Sequence, residues 1–187
     1  MIFAFGFFSE YNLLNSVFKL EDIASHAAKE YPFIALNDSN NLYASYKLFT
    51  HVENYILGMK LSLEDDDLLL YALNDQGYQN LNILSSMVML SKDALTLDEI
   101  IPYTSGLYVM TSGFYSTINK DIEKGLLPLA KQRLMRYKQH FKHFSIGLTL
   151  QSLEEEILIA PKLKDLANQL DILLLPLNYM CYLKEDE

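Results

Sequence analysis

Short apolar runs alternate with amphipathic stretches along this 187-residue chain, and that alternation restricts the folds open to it. Strands are expected at Ile2–Phe8, Phe33–Leu36, Tyr55–Leu61, Leu68–Leu73, Gly106–Met110, Phe144–Leu150 and Ile172–Leu177. The acidic run Glu64–Asp67 introduces the fourth. Helices are expected between them. Leu20–Tyr31 places Ile23, Ala24, Ala27 and Ala28 on one face, and Leu42–Val52 follows. Tyr78–Leu90 carries Leu81, Leu84 and Ser85 at helical spacing. A turn at Leu97–Ile101 ends at Pro102, and Leu126–Phe141 and Ala160–Leu170 complete the set. Strand then helix, repeated, predicts parallel strands with helical crossovers. Seven such strands suit a barrel or a doubly wound sheet, and periodicity does not choose between them. No linker, low-complexity tract or short-period repeat interrupts the pattern, so one domain over 1–187 is expected.

Half of the residues are hydrophobic and 12% aromatic, which is ample for a core at this length and excludes a disordered chain. Twenty-four acidic residues against 15 basic give a net charge of -9, a sign that repels phosphate backbones. DNA binding is therefore expected to be weak or absent. The single cysteine, Cys181, forms no internal disulfide and fits a reducing cytoplasm. Met1–Phe8 is apolar but lacks a basic flank, and Glu10 follows at once, so it reads as a buried strand rather than a signal peptide. No apolar run reaches membrane-spanning length. Neither a phosphate-binding glycine loop nor a nucleophile elbow is present. The 13 tyrosines fit packing, without the basic–aromatic interleaving of a single-strand binder.

Five local stretches carry a family resemblance. Ser9-Glu10-Tyr11-Asn12-Leu13-Leu14-Asn15 resembles an opening that runs histidine, any residue, histidine, then Ser-x-Tyr-Ser-Leu-Leu-Asp. Ala35-Leu36-Asn37-Asp38-Ser39-Asn40-Asn41-Leu42-Tyr43 resembles Ala-x-Thr-Asp-His-Gly-Asn-Leu-Tyr. Leu73-Asn74-Asp75-Gln76-Gly77-Tyr78-Gln79-Asn80-Leu81 resembles Asn-x-x-Gly-Tyr-x-Asn-Leu, the most specific of the five. Ser105-Gly106-Leu107 resembles Glu-Gly-Leu, and Asn178-Tyr179-Met180-Cys181-Tyr182-Leu183 resembles Asn-Asp-x-His-Tyr-Leu. Their order and spacing match the polymerase-and-histidinol-phosphatase (PHP) domains at the front of bacterial DNA polymerase III alpha subunits. Read physically, Gly77 offers a permissive backbone between strand and helix, and Asn74 or Asp75 can cap the helix that follows.

The resemblance implies an α/β fold, a distorted seven-stranded (β/α) barrel of the PHP type, as the N-terminal part of a longer chain. That chain would be a DNA-directed DNA polymerase, a nucleotidyltransferase of DNA replication. Active members hold a metal cluster at the barrel mouth with His, Asp, Glu and sometimes Cys, and use it to activate water for phosphoester attack. Carried across, the family's ligand positions fall on Gly6, Phe8, Asn15, Ser39, Lys60, Asp67, Tyr179 and Cys181, and on Gly113 or Phe114. Asp38 matches the family's Asp. Only Asp38, Asp67 and Cys181 keep ligating chemistry, so the expectation is a degenerate site with no metal, no cofactor and no catalytic residue. Lys60 is expected to pair with Asp38 or Asp67, with aromatic side chains filling the mouth.

His26 and His51 fall in helices, away from the strand ends, while His140 and His143 stand three apart, a spacing that puts them on one helix face. The same helix carries Lys131, Arg133, Arg136, Lys138 and Lys142, the one basic stretch, read as a solvated face with DNA or an acidic partner as alternatives. The implied role is architectural, supporting the polymerase domains of the same chain. One alternative is a divergent metal-dependent phosphoesterase or 3'-5' exonuclease using Asp38, Asp67 and Cys181. The other is a docking module for a proofreading exonuclease or another replisome subunit.

Overall fold

The computed structural model describes residues 4–12, 16, 19–22, 25, 31–149 and 154–180. Seven strands follow in chain order across one curled sheet: β1 (Ala4–Phe7), β2 (Ile34–Leu36), β3 (Tyr55–Ser62), β4 (Asp67–Ala72), β5 (Leu107–Thr111), β6 (Phe144–Leu148) and β7 (Leu173–Pro176). The two edges meet where Phe7 bridges Met180. There the Phe8 amide donates to Met180 O at 3.3 Å, and the Met180 amide donates to Gly6 O at 3.1 Å. The sheet is thus a distorted barrel, as the resemblance implied. Gly6 lies at the β1 irregularity with φ +100, and a Cβ there would come within 2.8 Å of Asn178 O. A side chain at Gly6 would strain the backbone and obstruct this closure.

The strands are not all parallel. The pairs β1–β2, β2–β3, β5–β6 and β6–β7 are parallel, but β4 is antiparallel to both β3 and β5. The reason is the connection. β3 ends at Ser62 and β4 starts at Asp67, too short a link for the dozen or so residues of a parallel crossover. A tight return reverses the chain instead, with Leu63 N donating to Asp66 O at 2.8 Å.

Helices α1 (Leu20–Asp22), α2 (Ser45–His51), α3 (Asp75–Leu90), α4 (Leu97–Ile100), α5 (Thr117–Glu123), α6 (Leu127–His140) and α7 (Glu154–Leu170) fill the connections. Most of the helix expected at Leu20–Tyr31 lies outside the described residues. Ser116 caps α5 by accepting from Ile118 N. α7 begins six residues before the expected Ala160 and contains Pro161. The main core joins the outer faces of β3 to β6 to the helices through Met59, Leu61, Leu68, Leu70, Leu81, Leu84, Leu134 and Leu163, all fully buried. Burial of each such side chain contributes about 2 kcal/mol. Ala35, Leu69, Tyr71, Met110 and Leu177 form a separate cluster, and Phe7, Ile34, Leu36 and Leu48 a third beside α2. Among the described residues no helix is long and apolar enough to cross a membrane.

The Asn-x-x-Gly-Tyr-x-Asn-Leu stretch braces one end of the barrel. Asn74 caps α3, its Oδ1 accepting from Gly77 N at 3.0 Å. Asn80 Nδ2 donates to Ser105 O at 2.7 Å, and Leu81 is in the main core. Gly77 packs directly on the Gly106 backbone, where a Cβ would lie 2.0 Å from Gly106 O. Tyr78, like Asn74, is exposed.

Candidate functional site

The ends of β1 to β3 and β5 to β7, with the start of β4, form the mouth where the sequence placed the family's ligand positions. Asp38 lies two residues beyond β2 and is buried. Its Oδ1 accepts from Ser9 N at 2.7 Å and its Oδ2 from Ser9 Oγ at 2.5 Å. Burial pushes the carboxyl up to about 6, with the Ser9 hydrogen bonds pulling the other way. Ser39 bridges Lys60 through the backbone, and its hydroxyl oxygen is buried with no hydrogen-bond partner among the described residues.

Lys60 N donates to Asp38 O at 3.1 Å, yet its side chain goes elsewhere. Nζ lies 3.4 Å from Asp67 Oδ2 and 5.3 Å from the Tyr115 ring centroid. Of the two carboxylates expected to pair with it, Asp67 is the partner. The neighbouring volume is aromatic. Phe8 stacks on Tyr179 at 5.4 Å and 12°, and Tyr115 meets Tyr179 edge-on at 5.2 Å and 71°. Phe114 adds an edge contact to Tyr115 at 5.7 Å. Tyr179 OH donates to Ser112 O at 2.7 Å, and burial raises its phenol well above the ordinary tyrosine range. Of the rings expected in the mouth, Phe8 and Tyr179 stack on each other, whereas Phe114 is exposed and Tyr115 stands against Tyr179. Gly113 opens a 3-10 turn with φ +56, and a Cβ there would meet Thr149 Cγ2 at 2.6 Å.

Asn15, Cys181 and His26 lie outside the described residues. His51 ends α2, as expected. His140 and His143 do not share a helix face, because α6 stops at His140 and His143 precedes β6. Among the described residues no group of three or more His, Cys, Asp and Glu side chains converges to hold a metal ion.

The basic stretch is largely engaged with its own chain. Arg133 Nε donates to Asp121 at 2.8 Å and Arg136 to Asp98 at 2.8 Å. Lys131 reaches Gln169 at 3.0 Å, and Lys138 reaches the carbonyls of Leu170 and Asp171 at 2.6 and 3.0 Å.

Sequence reasoning missed Asp66. It is buried and accepts from Thr117 N at 2.7 Å, Asp67 N at 2.9 Å, Tyr137 OH at 3.0 Å and Ser116 Oγ at 3.2 Å. Burial raises its carboxyl while these donors lower it. The bonds fasten the β3–β4 turn to α5 and α6, immediately beside Asp67. The available signal was Asp66's place in a tight turn, where one acid of a run turns inward. Chemically, the mouth offers one partly exposed ion pair against stacked rings and a buried carboxyl closed off by a serine.

A model of the PHP domain family matches residues 8–152. Several curated proteins named DNA polymerase III subunit alpha are similar. That of Ureaplasma parvum serovar 3 is 30% identical over 123 residues, covering 60% of this chain and 13% of the relative. That of Bacillus subtilis is 25% identical over 192 residues, 96% of this chain and 17% of the relative. That of Vibrio cholerae is 24% identical over 196 residues, 95% of this chain and 17% of the relative. The chain thus matches less than a fifth of the length of each of these proteins.

Proposed function

The chain belongs to the PHP domain family, and from that premise we propose that it is the N-terminal PHP domain of a replicative DNA polymerase III alpha chain, itself catalytically silent. Its role is to support the polymerase domains of that chain in the cytoplasm. The observation that carries this reading is the Lys60–Asp67 pair lying against the Tyr115 ring beside the Phe8–Tyr179 stack.

The residues at the mouth do not fit a family-type metal cluster. An ammonium stands beside Asp67, which would otherwise offer a ligating oxygen to a cation. Asp38 directs both oxygens to Ser9. Gly6, on the first ligand position, has a backbone that an imidazole-bearing residue would strain. Lysine charge and aromatic bulk then replace metal charge, which avoids clustering bare carboxylates in a partly buried space. The enzymatic alternative would need Asp38 and Asp67 released from Ser9 and Lys60. Direct DNA binding is weak in this reading, because the net charge is -9 and the two arginines of α6 are paired with acids.

Elemental analysis of chain purified without chelator tests the proposal, with less than one transition-metal ion per chain expected. Two or more zinc, manganese or iron ions per chain would overturn it. Cys181→His is expected to give no phosphatase activity, since one imidazole does not rebuild a cluster. Metal-dependent hydrolysis by that variant would contradict the architectural role.

A further inference from the structure

We propose that the slot between α2 and α3, at the end of the barrel opposite the mouth, docks a short amphipathic helix with basic flanks from a protein partner. The opening follows from the topology. The β3–β4 return supplies no crossover helix, so α3 covers the upper part of this strand pair through Leu81 and Leu84 against Met59, Leu61, Leu68 and Leu70. The β3–β4 ladder ends at Gly58↔Tyr71, whereas β3 continues along β2 down to Tyr55. Tyr55–Leu57 therefore parts from Ala72–Leu73, and a slot of about 520 Å³ opens over the parting.

Its walls are aromatic. Tyr46 and Phe49 of α2 face Tyr78 of α3 across it, with Tyr55 and Leu73 between them. Tyr46 is 77% exposed and Phe49 65%, an unusual cost for a seven-residue helix. Phe49 and Tyr55 already sit edge-to-face at 6.3 Å, so part of the wall is ordered before anything binds. A slot between two helices over a sheet has the shape of a missing layer element, and an apolar helix face fills it.

Charge selects the flanks. Asp75 is the one charged side chain among the residues lining the slot. Glu53 is exposed two residues before Tyr55. The lysine of α2, Lys47, is held by Glu10 at 3.1 Å and Glu21 at 3.5 Å. Lysine or arginine beside the apolar stripe would find carboxylates and aromatic faces here. Docking at this slot is independent of whether the mouth is catalytically silent.

The test uses the whole chain and a dye-labelled synthetic helix with leucines at helical spacing and lysines on both flanks, read by fluorescence anisotropy. Two controls share its leucines: one carries glutamates for lysines, and one carries prolines that forbid a helix. Expected is saturable binding of the lysine helix, weaker binding of both controls, and at least about a tenfold loss with Tyr46→Ser plus Phe49→Ser. Both positions are exposed, and circular dichroism verifies the fold of the variant. Asp75→Asn is expected to narrow the gap between lysine and glutamate peptides. No binding, binding indifferent to peptide charge, a preference for the proline peptide, or full binding by the Tyr46/Phe49 variant would each overturn the proposal.

Discussion

The brace at Asn74–Leu81 and the mouth around Lys60 are both places where this chain follows the family's frame, yet they differ in what they preserve. At the brace the signature residues are present, and most of them hold the fold together. Asn74 caps a helix, Gly77 lies against backbone, Asn80 donates a hydrogen bond and Leu81 packs in the core. At the mouth the strand ends carry glycine, phenylalanine, serine, lysine and tyrosine at the positions that the proposed reading matches to the family's metal ligands. The difference separates two kinds of constraint. A glycine pressed on the Gly106 backbone is required by this packing whatever the mouth does. A ligand is required only while its metal is used, and can be exchanged for packing once the cluster's charge is compensated otherwise.

The largest effect expected from this comparison is at the brace. Gly77→Ala places a methyl 2.0 Å from Gly106 O, and backbone on both sides gives no flexible group to yield. A loss of about 3 kcal/mol in urea unfolding is expected. A loss below about 1 kcal/mol would show that the brace adjusts and that its glycine is incidental.

The mouth should instead show a pH dependence that the brace lacks. The Asp38 carboxyl is raised to about 6 by burial, against about 3.9 in an unfolded chain. Raised in the folded state, it contributes stability that is full below about pH 4 and is lost as pH rises through about 6. The scale is on the order of 2–3 kcal/mol over that window. Asp66 shifts in the same direction, so the measurement is the difference between the parent and Asp38→Asn. That difference should change between pH 4 and 7, while Asn74→Ala should cost about 1 kcal/mol at every pH. A flat Asp38 difference would mean that the carboxyl is not perturbed.

These contrasts also explain what was legible in the sequence. The seven strands were, because each is a short apolar run between turn residues. The direction of β4 was misread because the alternating pattern was extended across Leu61–Leu68, where the connection is too short to carry a helix. α5 was missed because Ile118 and Ile122 are its only aliphatic positions in seven residues, too few to register a period. The start of α7 was set too late because Pro161 suits a helix's first turn, whereas here it lies within the helix. At the mouth, the frame of the resemblance offered Asp38 or Asp67 as the partner of Lys60, and only the structure selects Asp67; rings were expected there at Phe8 and Tyr179, though not their stacking. Asp66 escaped because chain periodicity does not show which acid of a run turns inward. The slot between α2 and α3 escaped because it depends on where two ladders part.

The smallest effect expected is at Lys60 itself, and it sharpens the comparison most. Its ammonium lies 3.4 Å from Asp67, whose side chain is 25% exposed, so water screens the pair. The Tyr115 ring adds a cation–π contact of similar modest size. Lys60→Met keeps the stem's bulk against the rings and removes the charge, for an expected loss below about 1 kcal/mol. Asp67 would then lack its cation, so Lys60→Met with Asp67→Leu should recover most of that loss, a coupling that a double-mutant cycle reads directly. If Lys60→Met instead costs as much as Gly77→Ala, the lysine is as deeply required as the brace. The mouth would then be a rigid electrostatic centre in its own right rather than a packed-over remnant. A small, coupled loss supports the other account, in which the brace holds the barrel and the mouth is closed by modest and replaceable contacts.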